Sequence, residues 1–289
     1  MKILAIGDFH GKFPMKLKKF AKDVDFVIAL GDYAGIEGWR PWLKYVFKLR
    51  ARGEPVNITI KDFLGKKRFS KLMKDDDLAG REVLRQLNHL NKKVIFVFGN
   101  GDDRFYTYPF GKFFQGTKTN SNFVKELRNL TNITYGKKRV FGIDFAGFGG
   151  FMDASANYDA KSKEPDEIAR VKRVHKRNSI AARKFKSILK GTLKDKIFVF
   201  HYPPKGAFDL IHEKGNPYNG ESAGVEFFAH EIKKHKPILA LCGHMHEYQG
   251  VKKIGKTLVV NPGAASHGKA AIIEIDDCSK KIEKIRFVK

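Results

Sequence analysis

The chain of 289 residues reads as an α/β protein, and three observations lead there. Short apolar runs of strand length recur along it: Lys2-Ile-Leu-Ala-Ile, Phe26-Val-Ile-Ala-Leu, Val94-Ile-Phe-Val-Phe, Lys196-Ile-Phe-Val-Phe and Pro237-Ile-Leu-Ala-Leu. Between them lie amphipathic stretches of helical period. Each run also stops in the same manner, at a glycine or directly at Asp, His or Asn. In sheets with helical connections, sites form outside the carboxyl ends of the strands.

In chain order, strand 2–7 delivers Asp8 and His10, and a basic segment from Lys12 to Lys22 returns the chain to strand 26–30. Residues 35–92 form a helical excursion in which Trp39, Trp42, Leu43, Val46 and Phe47 share one face. That face reads as core or as an oligomer contact. Strand 94–98 leads into Gly99-Asn100-Gly101-Asp102, followed by an aromatic loop over 103–120 that includes Arg104. Strands fall around 133–149. A second excursion spans about 151–194, with a helix from Glu164 to Lys190 started by Pro165, where proline is tolerated. His201-Tyr-Pro-Pro ends strand 196–200, and Glu221 to Lys236 reads as a helix. Strands 249–254, 257–261 and 270–275 read as a meander turned at Gly255-Lys256, with 282–288 pairing last. His89, His175, His212, His230 and His235 belong to no motif and read as structural or exposed. Residues 1–289 are expected to form a single domain.

Composition narrows the class. Hydrophobic residues make up 42% and aromatics 12%, with 25 phenylalanines, so a globular fold with an aromatic core is expected. Cys242 and Cys278 have no disulfide or zinc-ribbon spacing. The first apolar run is too short for a signal-peptide core, and no run approaches membrane-span length. These features point to the cytoplasm and to no membrane partner. The charge is one-sided, 56 Lys and Arg against 31 Asp and Glu, net +25. From Arg40 to Lys74 alone there are 11 basic residues and 2 acidic ones. Such a surface concentrates polyanions such as nucleic acid or nucleotides, and it also serves solubility.

The chemistry centres on Cys242-Gly243-His244-Met245-His246. Extended backbone sends residues i and i+2 to one side, so both imidazoles can face one centre. Alone, the pentapeptide is equally a tight turn with two exposed histidines, and Asp8 and Asp32 are equally helix caps. Together with Asp8, His10, Asp32, Asn100 and His201, all at strand ends, it makes a convergent metal site. Seven mixed Asp, His and Asn donors suit two borderline divalent cations (manganese first; iron, zinc, nickel or cobalt also) better than magnesium or calcium.

The order D-x-H, G-D, G-N, H, G-H-x-H resembles the calcineurin-like metallophosphoesterase superfamily from Asp8 to about Gly263, in its small prokaryotic and archaeal form. The resemblance implies a four-layer αββα sandwich of two mixed β-sheets flanked by helices. It implies one metal on Asp8, His10, Asp32 and His246, and another on Asp32, Asn100, His201 and His244. Asn100 and His201 would be catalytic, Asn100 and Arg104 would touch substrate, and Asn261-Pro-Gly would approach phosphate. One departure stands out: the family's G-N-H pattern has Gly101 in place of its histidine, which removes the usual proton donor to the leaving group. Asp102 and Asp103 are the nearest stand-ins, each expected to be charged and each equally a cap.

The implied function is dinuclear-metal-dependent hydrolysis of phosphoesters, phosphodiesters foremost, by a metal-bridging hydroxide attacking phosphorus in line. The alternatives are a phosphomonoesterase acting on nucleotide or phosphoprotein, or a non-catalytic scaffold on the same fold. A scaffold would show eroded ligands, and all seven positions are filled. A homo-oligomer is compatible with the apolar face of the first excursion.

Overall fold

A computed structural model of the chain describes residues 1–102, 121–149, 165–213 and 215–289. Arg104, Asp103 and the aromatic loop expected over 103–120 lie outside the described residues. Two mixed six-stranded sheets form the centre. The first runs in the order β12 (Ile282–Val288), β11 (Ala270–Ile275), β1 (Lys2–Ile6), β2 (Phe26–Ala29), β3 (Lys93–Phe96) and β4 (Leu130–Asn132). The second runs β5 (Lys137–Val140), β6 (Ile143–Phe148), β7 (Lys196–Phe200), β8 (Leu239–Leu241), β10 (Thr257–Asn261) and β9 (Gly250–Ile254). Strands β1 to β4 are mutually parallel, as are β6, β7, β8 and β10. Antiparallel strands finish both edges of the second sheet and the β12 edge of the first, whereas β4 closes the other edge in parallel.

The layering follows from the two-residue period of a strand. Ile3, Ala5, Ile28, Ile95, Ile197, Val199, Leu239 and Leu241 point into one aliphatic core made by both sheets. Their neighbours Leu4, Ile6, Val27, Ala29, Phe198 and Phe200 point outward, towards helices. Both faces of each central strand are therefore buried, which is why these runs are continuously apolar. The outward layer on the second sheet is aromatic. Phe200 stacks on Phe228 at 4.0 Å between centroids, and Phe185 meets Phe148, Phe198 and Phe200 edge-on.

Seven α-helices are described: α1 (Lys18–Lys22), α2 (Arg40–Ala51), α3 (Ile60–Leu64), α4 (Lys66–Asn88), α5 (Ser121–Glu126), α6 (Pro165–Leu189) and α7 (Glu226–His235). Among the described residues, no helix is long and apolar enough to cross a membrane. The expected helix from Glu221 starts only at Glu226, because Ser222 and Val225 bridge back to Leu210 and Pro204. The expected meander also divides. β9 and β10 form the hairpin, but β11 crosses to the other sheet through Pro262-Gly263 and the turn Ala265–His267, and pairs with β1 and β12. On α2 only Val46 is buried. Trp42 instead packs on Tyr45 and Phe63 at 5.8 and 5.5 Å, so the aromatic face of the first excursion is a local cluster and not sheet core.

Candidate metal centre

Every candidate donor sits on a loop leaving the carboxyl end of a parallel strand, and backbone bonds stitch these loops together. Asp8 and His10 follow β1, and their N–H groups donate to Gly31 and Asp32 carbonyls at 3.0 and 2.8 Å. Asp32 follows β2, Asn100 follows β3, and His201 follows β7. The double histidine follows β8; the Gly243 N–H donates to the His201 carbonyl at 2.9 Å. The His244 N–H is shared between both Asp8 carboxylate oxygens at 3.0 and 3.1 Å. The two sheets thus meet at their loops through the donors themselves.

Four of these seven residues occupy the left-handed backbone region: Asp8 at φ 58°, His10 at 48°, Asp32 at 56° and His244 at 69°. Non-glycine residues rarely adopt it, and such strain gathers at functional sites. Close approach requires glycine at position 99 and leaves little room at 101. A Cβ on Gly99 would lie 2.1 Å from Asp32 Oδ1, and one on Gly101 would lie 3.1 Å from it.

Ligand atoms of Asp8, His10, Asp32 and His246 lie within 4.8 Å of one another, as do those of Asp32, His201 and His244, so the two sets share Asp32. His10 Nε2 and His246 Nε2 face each other at 2.7 Å. His201 Nδ1 donates to the Leu30 carbonyl at 2.7 Å, which turns its Nε2 towards Asn100 Oδ1, 2.8 Å away. Asp32 Oδ1 is 3.5 Å from the same nitrogen. Nitrogen and oxygen atoms gathered this closely make a donor set that a shared cation can bind. The donors are also mostly buried, and buried charge persists only when paired or bound to metal. The set fits divalent cations.

The local titration agrees with that field. Burial opposes ionisation of Asp32, yet His201, His10 and His244 carry its carboxyl well below the usual range. Burial also lowers His201, but Asp32, Asp8 and the Leu30 carbonyl reverse the sign and raise it. His244 is lowered well below its ordinary value by burial and by His201. His10 is lowered by burial, against the pull of Asp32.

Two residues have roles that the sequence did not disclose. Asp102 is fully buried, and its carboxylate accepts four backbone N–H groups, from Asp32, Tyr33, Ala34 and Gly99, at 2.8 to 3.0 Å. Burial and the Asp32 carboxylate push it up to about 7. With both oxygens committed to these loops, it braces the site and is no substitute proton donor for the histidine absent at Gly101. The only sequence signal was a carboxylate two residues beyond Asn100. Asn261 is buried too; its Oδ1 accepts from the Gly263 N–H and its Nδ2 donates to the Met245 carbonyl. That side chain is spent on holding the double-histidine loop and does not reach for phosphate.

From this centre a cavity of about 400 Å³ opens past His10 and His246. Its walls include Lys12, Leu43, Lys44, Phe47, Ser266 and His267. His201 lies behind this opening with no exposed surface, whereas 35% of the His246 side chain is exposed.

Comparison with known proteins places this arrangement. The family profile of metallophosphoesterases of the calcineurin superfamily matches residues 1–287. An uncharacterized protein of Methanocaldococcus jannaschii, MJ1162, is 23% identical over 270 residues, covering 92% of this chain and 90% of the relative. The crystal structure of TT1561 from Thermus thermophilus superposes with a TM-score of 0.53 at 20% identity, covering 98% of this chain and 96% of that one. Another crystal structure superposes with a TM-score of 0.60 at 18% identity, over 99% and 98% of the two chains. The chain therefore belongs to the metallophosphoesterases of the calcineurin superfamily, a family of metal-dependent hydrolases, and its two mixed sheets flanked by helices are that family's fold.

Proposed function

We propose that this metallophosphoesterase hydrolyses phosphodiesters at a pair of divalent cations, manganese foremost, held by Asp8, His10, Asp32 and His246 and by Asp32, Asn100, His201 and His244. The observation that carries the reading is the convergence of both sets on one shared carboxylate. Bound there, the cations supply Lewis acidity and a water activated at neutral pH.

The chain's own residues do the remaining work. Asp8 and Asp32 bring the negative charge that draws cations to a buried site. The Leu30 carbonyl fixes His201 in the tautomer that presents Nε2. Asn100 offers a carbonyl oxygen to the centre and an amide donor to a phosphoryl oxygen, and Arg104 is a second candidate contact to substrate. In the reaction a bond from water oxygen to phosphorus forms as the bond to the leaving oxygen breaks. Gly101 gives that oxygen no proton, and Asp102 is committed to backbone. General acid catalysis is typically worth ~10²–10⁴-fold, so the rate should depend steeply on the leaving group. The net charge of +25 favours polyanionic substrates, with capture weakening as salt rises.

The test is a series of phosphodiesters of graded leaving-group pKa, assayed with manganese-loaded protein beside the matching monoesters. The reading expects aryl diesters to be cleaved well, alkyl diesters poorly, and monoesters more slowly than diesters. Monoesters cleaved faster would make the protein a phosphatase. A shallow slope would mean that another acid serves the leaving group.

A further inference from the structure

The cavity beside the centre has a chemistry of its own. Its helical wall is α2, where Arg40, Leu43, Lys44 and Phe47 fall at the spacing that puts them on one face. Leu43 and Phe47, with Ile36 before the helix, make an apolar strip, and all three are only half-buried. The two acids of the lining are already engaged. Glu37 accepts Arg40 Nε and Nη2 at 2.7 and 3.3 Å, and Glu213 accepts Asn216 Nδ2 at 3.0 Å. Arg40 offsets Glu37, whereas Glu213, bonded to a neutral amide, keeps its charge, so Lys12 and Lys44 together leave the lining with a net positive charge.

The far side is tied to the helix. One turn beyond Phe47, Arg50 Nη1 donates to the Tyr218 hydroxyl at 2.8 Å and lies over the Tyr218 ring at 5.6 Å. At about 400 Å³ the space is in the range of small-molecule sites. It suits a compact body and not a long polymer. Lys44 shares helix α2 with Leu43 and Phe47, Lys12 comes from the loop after β1, and the metal-site histidines His10 and His246 line the same cavity.

We propose that this cavity binds the non-scissile part of the substrate, and that this part is a compact apolar or aromatic body bearing a second anionic group, as in a nucleoside phosphate ester. The apolar body lies against Leu43 and Phe47, and Lys44 and Lys12 take the second anion, while the scissile phosphate is at His10 and His246. This inference rests on the hydrolytic reading above.

Three diesters with one leaving group separate the two. Methyl 4-nitrophenyl phosphate has no body, thymidine 5′-(4-nitrophenyl phosphate) adds the body, and its 3′-phosphate adds the second anion. With manganese-loaded protein, kcat/KM should rise at each addition by about tenfold, the factor that 1.4 kcal/mol of added binding gives. Phe47→Ala should shrink the first step, and Lys44→Glu should erase the second, chiefly through KM. A flat series with measurable turnover of the methyl ester overturns the cavity's role and leaves the hydrolytic reading standing.

If none of the three is cleaved, the hydrolytic reading falls, and calorimetry with thymidine 3′,5′-bisphosphate decides the cavity. Binding that weakens about tenfold or more in Lys44→Glu supports it, and no binding at millimolar ligand overturns it.

Discussion

The two candidate clusters share Asp32 and differ in how they meet the cavity. In the inner one (Asn100, His201, His244), His201 is fully buried with its ring fixed by the Leu30 carbonyl, Asn100 and His244 are half-buried, and none of the three lines the cavity. The outer one (Asp8, His10, His246) opens on the cavity, with part of the His246 ring in solvent. A donor anchored in the buried packing, as His201 is, serves fold and metal together, whereas His10 and His246 also face the cavity. One site can thus hold a cation rigidly and still meet a changing substrate.

Asp32→Asn attacks what the clusters share and should have the largest effect. Loss of a partner that merely supports a ligand costs ~10–100-fold in metal affinity or activity, and loss of the shared carboxylate should cost more than about 100-fold in kcat/KM. Metal analysis should show both cations weakened, and weakening of one alone would separate the clusters.

Asp102→Ala probes the bracing of the inner cluster. It leaves four buried N–H donors without their acceptor, and each such group costs ~1–3 kcal/mol. Urea unfolding should show a loss of at least about 2 kcal/mol, with metal affinity falling as well. A fully stable variant would mean that water replaces the carboxylate.

The matched pair His201→Gln and His246→Gln sharpens the contrast. Both should weaken metal binding. Only the inner change should also destabilise the metal-free protein, by about 1–3 kcal/mol, since it strands the buried Leu30 carbonyl. Equal melting temperatures for the two metal-free variants would erase the distinction between inner and outer.

Asp144, near the other end of β6, is a control for the sheet away from the site. The Arg139 guanidinium holds its carboxyl below the usual range, against burial, with help from the Leu193 N–H. A depressed carboxyl gives stability above its unfolded pKa and loses it as pH falls through the folded value. Arg139 is 55% exposed, so solvent screening keeps the contribution of the pair small. Asp144→Asn should cost that little at neutral pH in thermal melts, and the gap should close as pH drops below ~3.9. Metal binding should not change.

Much of this is legible in the residues, and what is not has physical reasons. Strand runs and their terminal donors are local patterns, so the central strands and the candidate donors can be read directly. Backbone sign is harder. Nothing in Asp8 or His10 announces φ near 50°; only neighbours such as Gly7 and Gly11 hint at tight turns. Long-range partners are hardest. Asp102 reads as a cap or a charged acid because its N–H donors at residues 32–34 are remote in sequence. The same limit hides the crossing of β11 to the first sheet, since a turn after Asn261 looks alike whichever sheet receives the next strand. Helical period found α2, but it could not tell that Trp42 would pack on Phe63 while Leu43 and Phe47 lined a cavity.

The central claim is that two clusters hold two cations through one carboxylate, and metal stoichiometry tests it most directly. Protein purified without chelator, reloaded with manganese and freed of excess should carry two equivalents per chain by elemental analysis, and Asp32→Asn should fall well short of that. A wild-type value that saturates at one equivalent, with the fold intact, would contradict the account.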